Sequence, residues 1–189
     1  MDKEKTNIPS PGKWKTLKSE YLFQRPWLTA RRDTVELPDG RINPEFYVLE
    51  YPSWVNIIAR DRQGRYVMVE QYRHGLGEVG IELCAGVVED GEEPVAAARR
   101  ELEEETGYTG GEWRLISVLS GNPSVTNNRT YCFLATDVER TSDQHLDANE
   151  DIVVRLLTED DLLSLLKADK MKQALMVAPL WRYFALRND

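Results

Sequence analysis

The chain runs to 189 residues, 41% of them hydrophobic and 30% charged, with a formal net charge of −8. That apolar content is enough to bury a core in one domain, or in one domain carrying an appendage. The acidic balance argues against a basic nucleic-acid-binding surface, but not against a small anionic substrate held through bound cations, which invert the local field.

The opening MDKEKTNIPSPGK has no apolar core and does not read as a secretory signal; residues 1–12 read as a loose polar tail. From Trp14 to Leu49 the chain is rich in β-branched and aromatic runs, punctuated by Arg25-Pro26 and by the turn signal Pro38-Asp39-Gly40. Residues 1–52 are therefore read as a tail plus a small antiparallel sheet, and residues 53–189 as the main domain. Three strands alone make a marginal core, so this sheet is expected to pack on something else.

In the main domain, strands are predicted over 55–60, 66–72, 81–84, 113–119, 129–136 and 152–157, with a hairpin turn at Arg62-Gln63-Gly64-Arg65. Helices are predicted over 94–106, 160–167 and 170–186. The polar segments 120–128 and 139–150 lack periodicity, and long polar loops in a compact domain are where function tends to sit. No apolar run reaches the length of a membrane span. Cys84 and Cys132 each lie in an apolar run, without C-x-x-C spacing or the density of a disulfide scaffold, so buried reduced thiols are expected. His74 and His145 are too scattered for a histidine metal site. A cytoplasmic protein without membrane or nucleic-acid partners is the expectation.

The most informative stretch is Gly86-Val-Val-Glu-Asp-Gly-Glu92-Glu-Pro94, followed by a short run that ends at Gly107-Tyr108. Pro94 suits a first helical turn and Gly107 a helix C-terminus. Between them Val95, Ala98 and Leu102 form an apolar stripe that can face a sheet. Glu101 and Glu105 stand four residues apart on one face, and Glu104 borders it. Clustered like charges destabilise a helix and raise carboxyl pKa values; a hard divalent cation reverses that penalty. Taken alone, such an acidic run reads as a solvated face. Here it arrives together with glycines, Glu92 and Arg100 at fixed spacing, which favours the catalytic reading.

The stretch fits G-x5-E-x7-R-E-U-x-E-E-x-G-U, with U an apolar or aromatic residue, and so resembles the Nudix hydrolase family. The resemblance implies an α/β (α+β) fold: a Nudix α/β/α sandwich with a mixed sheet, here preceded by the small N-terminal antiparallel sheet. It also implies metal ligation by the Ala85 carbonyl, Glu101 and Glu105, with Glu104 as a further ligand. Mg2+, with Mn2+ as a substitute, would occupy the site as about two or three ions. Arg100 would pair with Glu92 and pin the glycine loop that begins at Gly86 to the helix that ends at Gly107.

Weaker motifs resemble the ADP-ribose pyrophosphatase branch. Gln71-Tyr72-Arg73 matches its Q-Y-R, and Glu82-Leu-Cys84-Ala85-Gly86 its E-x-P-A-G with cysteine in place of proline. Pro123 stands near its marker proline, and Asn149-Glu150-Asp151-Ile152 matches its N-E-D-I. The implied activity is Mg-dependent hydrolysis of a nucleoside diphosphate sugar, foremost ADP-ribose to AMP and ribose 5-phosphate. GDP-mannose or another nucleotide sugar is the alternative; a nucleotide-binding regulator without catalysis fits less well, because the box is intact. The loop Ser120-Gly-Asn-Pro123-Ser-Val-Thr-Asn127-Asn128 departs from the branch, offering asparagines where an acid is usual.

Arg73 would fork onto a phosphate, or else be a surface cation, and Glu82 would shape the site or simply end a strand. Because metal would occupy the box acids, the general base is assigned to Glu150, otherwise a strand-start acid, with Glu104 as second choice. A homodimer is expected through the N-terminal sheet, whose Trp14, Trp27 and Phe46 are costly to expose. Trp27 would then stack on the nucleotide base in the partner's site, or pack in a core.

Overall fold

A computed structural model describes residues 10–187, so most of the expected tail lies outside the described residues. The chain divides into two compact units: Met1–Tyr51 with Ser124–Asn127, and Pro52–Pro123 with Asn128–Asp189.

In the first unit three antiparallel strands, β1 (Lys15–Arg25), β2 (Leu28–Glu36) and β3 (Ile42–Glu50), lie in the order β1-β2-β3. The Pro38-Asp39-Gly40 signal forms the β2–β3 turn, closed by the Gly40 N–H on Leu37 O at 2.9 Å. Segment 124–127 joins this unit through the Leu49 N–H on Val125 O at 2.7 Å. Among the described residues of this unit only Ala30, Asp33 and Val35 are buried, and Asp33 is held by the Arg31 guanidinium. Every residue of β1 is exposed.

The second unit is built on a six-stranded mixed sheet in the order β7-β8-β4-β6-β5-β9. Its strands are β4 (Trp54–Asp61), β5 (Tyr66–Arg73), β6 (Glu78–Val87), β7 (Tyr108–Leu119), β8 (Thr130–Arg140) and β9 (Ile152–Leu157). The β4–β8 pair is parallel and the other pairs are antiparallel. Strand side chains alternate between faces, and two cores follow. Ile57, Val67, Val69 and Cys84 meet Ala97, Ala98 and Leu102 of α1 (Pro94–Thr106). Ile58, Tyr66, Met68 and Leu83 meet α2 (Glu159–Lys167) and α3 (Ala174–Arg187) on the other face. The architecture is thus the expected sandwich of a mixed sheet between helices. Cys84 and Cys132 are buried free thiols. Among the described residues no helix is long and apolar enough to cross a membrane.

Local chemistry sets the helix ends. Pro94 opens α1 at its first position, and Gly107 closes it with φ 73°, its N–H bonded to Glu103 O at 2.7 Å. Thr158 and Asp161 form a reciprocal capping box at the start of α2. Two expectations are corrected. Val95 is 39% exposed and outside the packed stripe, whose members are Ala97, Ala98, Leu102, Glu105 and Thr106. One helical turn cannot put both Val95 and Ala97 on the sheet, and the small alanine allows the closer approach. The last helix starts at Ala174 rather than 170, because the Gln173 side chain accepts the Leu175 N–H at 3.3 Å and caps it.

Pro179 lies inside α3. Lacking an N–H, it leaves the Leu175 carbonyl four residues earlier without a helical donor. Asn56 of β4, only 3% exposed among apolar neighbours, supplies one through Nδ2 at 2.7 Å. An orphaned carbonyl there would cost about 1–3 kcal/mol.

Candidate active site

The site grows from the junction of β6 and α1. β6 delivers Glu82, Ala85 and Gly86, and α1 returns across its end with Glu101, Glu104 and Glu105 on consecutive turns. A Cβ on Gly86 would collide with the carboxylate of Glu101, so only glycine lets the acid lie against the strand backbone. Glu105 is 3% exposed, on the face of α1 that should be apolar, and its Oε2 accepts the Ala85 N–H at 3.1 Å.

Arg100 organises the rest. Its Nε and Nη2 each donate to Glu92 at 3.1 Å, and Nη2 also reaches Val87 O at 2.9 Å. Glu92 in turn accepts the Glu89 N–H at 3.1 Å, so the loop after Gly86 is tied to the helix. Arg100 Nη1 donates to Glu101 and to Glu104, both at 2.9 Å. These bonds hold the Glu92 carboxyl below its ordinary range and raise the guanidinium.

Glu105 has no cationic partner among the described residues. Burial pushes its carboxyl up to about 8, opposed by hydrogen bonds from Cys84 and Ala85 and reinforced by the charges of Glu101 and Glu150. Glu101 is likewise raised, by burial first and then against the pull of Arg100. Two acids of one helix face, Glu105 buried and Glu101 partly buried, each raised chiefly by burial, offer hard carboxylate oxygens of the kind magnesium prefers. The residues therefore fit a divalent cation in chemistry. Among the described residues no three acids, histidines or cysteines already stand in a coordination sphere, since Arg100 holds Glu101 and Glu104.

Beside this cluster is a cavity of about 310 Å³, lined by Trp54, Asn56, Arg73, Ala85, Gly86, Val87, Gln173, Leu175 and Met176. Arg73 donates from Nε and Nη2 to Glu82 Oε2 at 3.0 and 2.6 Å, and Glu82 is 5% exposed. The two residues singled out separately in the sequence are thus one ion pair at the cavity wall. Trp54, Asn56, Gln173 and Leu175 escaped the sequence reading; only Asn56, a polar break in the apolar run Val55-Asn-Ile-Ile-Ala59, carried a signal.

Glu150 is exposed on the loop between β8 and β9. Its carboxylate accepts the Asp147 N–H at 3.0 Å, and its charge adds a small upward push to the carboxyls of Glu101 and Glu105. Glu104 borders the cluster, its side chain 42% exposed. Pro123 is exposed and outside the lining of the cavity. Trp27 belongs to the first unit, in the turn after β1, where it is 72% exposed rather than packed in that unit's core.

Comparison with known proteins agrees with this arrangement. Residues 50–178 match the NUDIX domain, and residues 14–49 match the nucleoside diphosphate sugar hydrolase N-terminal domain. The chain is 32% identical over 161 residues to the ADP-ribose pyrophosphatase of Bacillus subtilis, covering 85% of this chain and 86% of that one. It is also 32% identical over 158 residues to the methanol dehydrogenase activator of Bacillus methanolicus, covering 83% and 85%. A solved structure described as an ADP compounds hydrolase superposes with a TM-score of 0.80 over 95% of this chain and 96% of its own, at 20% identity, which speaks to the fold alone.

Proposed function

The chain belongs to the NUDIX family and is a Nudix hydrolase, and we propose that its substrate is a nucleoside diphosphate sugar, foremost ADP-ribose, cleaved to AMP and ribose 5-phosphate. The observation that carries the reading is Glu105 bonded to the backbone of Ala85, with Glu101 against Gly86, where Ala85 and Gly86 line a cavity together with Arg73, itself paired with Glu82. The sugar class is supported by the match of the N-terminal segment and by similarity to an ADP-ribose pyrophosphatase along most of both chains.

Nudix hydrolases generally need a divalent ion, and here Glu101, Glu105 and the Ala85 carbonyl, with Glu104, would hold magnesium. Such ions neutralise diphosphate charge and lower the pKa of water. The chain's own residues do the remaining work. Arg73 presents a cation at the cavity wall, oriented by its bidentate hold on Glu82. Glu150 accepts the proton of the attacking water. Water adds to one phosphorus, the bridging P–O bond breaks, and the two halves leave as phosphate monoesters.

With magnesium, a panel of ADP-ribose, GDP-mannose, UDP-glucose, NADH, diadenosine polyphosphates and ATP should give ADP-ribose the highest kcat/KM. A clear preference for ATP or another triphosphate would overturn the sugar-nucleotide reading and leave the family intact. Best turnover of GDP-mannose would change the assigned base and sugar and keep the nucleotide-sugar class.

The working form is proposed to be a homodimer joined through the first unit. Leu17, Tyr21, Leu22 and Phe23 of β1 are each close to half exposed, apolar area on an uncovered strand that a partner chain would bury. Light scattering at micromolar concentration should therefore report about twice the chain mass of 21.8 kDa. A particle of the monomer mass would refute the dimer.

A further inference from the structure

A helix leaves its last carbonyls without intrahelical donors, and at the end of α1 the loop after β8 supplies them. The His145 N–H donates to Glu104 O at 2.8 Å and the Thr141 N–H to Gly107 O at 2.9 Å. A Cβ on Gly107 would collide with the Ser142 carbonyl, so the loop lies directly on the helix end.

One side chain adds to these donors. Gln144 Nε2 donates to Glu105 O at 2.7 Å and to Ile152 O at 3.2 Å. Both partners are backbone carbonyls, so the amide nitrogen, not its oxygen, must face them. Its two hydrogens serve two structural elements at once. Glu105 is the most buried acid of the cluster, and Ile152 begins β9, two residues beyond Glu150.

We propose that Gln144 is a positioning residue that ties the acid-bearing helix to the segment carrying Glu150, and so fixes where that carboxylate meets the bound diphosphate. The inference rests on the reading of Glu150 as base. The physical reason for such a tie lies in the segment itself. Residues 147–151 bury no large apolar side chain, and Leu146 is the last residue before them to pack on the core. Without Gln144, the start of β9 keeps its sheet partner and the packing of Ile152 on the core, but loses its hydrogen-bonded link to the Glu105 turn of the helix. A displacement of about 1 Å of a catalytic group can cost up to 10²-fold in rate.

The test uses Gln144→Leu, which removes both donors at similar volume, and Gln144→Glu, which keeps the shape without an N–H. Each should lower kcat roughly tenfold to a hundredfold with KM within about twofold, and amide exchange at residues 147–151 should quicken. In a Glu150→Gln background Gln144→Leu should lower kcat no further, because both changes act on one element. Unchanged kcat and exchange in both Gln144 variants would overturn the proposal, as would an undiminished further loss in the Glu150→Gln background. Wild-type turnover of Glu150→Gln alone would instead refute the base reading; exchange then decides the tie by itself, quickened exchange supporting it and unchanged exchange overturning it.

Discussion

Glu105→Gln is expected to lower turnover by roughly two to three orders of magnitude while the protein stays folded. The substitution removes one anionic ligand and almost nothing else: the amide oxygen can still accept the Ala85 N–H, and the volume is unchanged. Several kcal/mol of transition-state charge stabilisation rest on such a ligand set, at about 1.4 kcal/mol per factor of ten. A magnesium titration of kcat, with circular dichroism to verify folding, measures the effect. Full activity in a folded Glu105→Gln protein would remove this acid from the chemistry.

The same residue makes the metal-free protein pH-sensitive in a direction opposite to most carboxylates. Burial, first, and the charges of Glu101 and Glu150 push its carboxyl up to about 8 in the folded protein, from 4.5. A raised acid means that the folded state holds a proton which the unfolded chain has released. Its contribution is therefore fully present below about pH 4.5 and is lost as pH rises toward 8, by at most a few kcal/mol. In the presence of a chelator, Tm should fall across this window. The fall should be shallower in Glu105→Gln, with a residual slope from Glu101, which is also raised. Magnesium binds the ionised form and should restore Tm most at pH 8. Equal slopes in wild type and variant would show that Glu105 is not the titrating group.

How much of this was legible in advance depended on whether the cause was local. Helix α1 occupies residues 94–106 as predicted, because Pro94 and Gly107 mark both ends with backbone chemistry that needs no tertiary partner. By contrast, β7 begins at Tyr108 rather than 113. The strand starts earlier because β8 pairs with it through the two glycines, at Gly110↔Val138 and Glu112↔Thr136. β6 likewise extends from Glu78 to Val87 around the predicted 81–84, its ends held by β5 and β4 rather than by its own hydrophobic pattern.

The site divides in the same way. The spacing of Glu101, Glu104 and Glu105 and the pairing of Arg100 with Glu92 follow from one helix and one loop, so a single stretch of sequence carries them. Asn56 does not, because its role answers a carbonyl freed by Pro179 far along the chain. Gln144 is similar: nothing beside it in sequence reveals that its two acceptors belong to α1 and β9. The polar segment 139–150 lacks apolar periodicity, yet its first half is fastened by hydrogen bonds to the end of a helix, a kind of anchor that hydrophobic pattern cannot report.

That division bears on Glu150, which lies beyond the anchored half. Its carboxylate and backbone N–H close a turn on Asp147, at 3.0 and 2.9 Å. Glutamine at this position keeps the size and can still accept the Asp147 N–H, but cannot take a proton from water. Glu150→Gln should therefore lower kcat by roughly 10² or more, the usual worth of a general base, and leave KM near its wild-type value. Magnesium affinity, measured by calorimetry without substrate, should change little, which separates a base from a metal ligand such as Glu105. Wild-type turnover would return the role to Glu104, Asp147 or Asp151. A large loss of magnesium affinity alongside the loss of kcat would make Glu150 a ligand instead, and the water would then need its base from among those same acids.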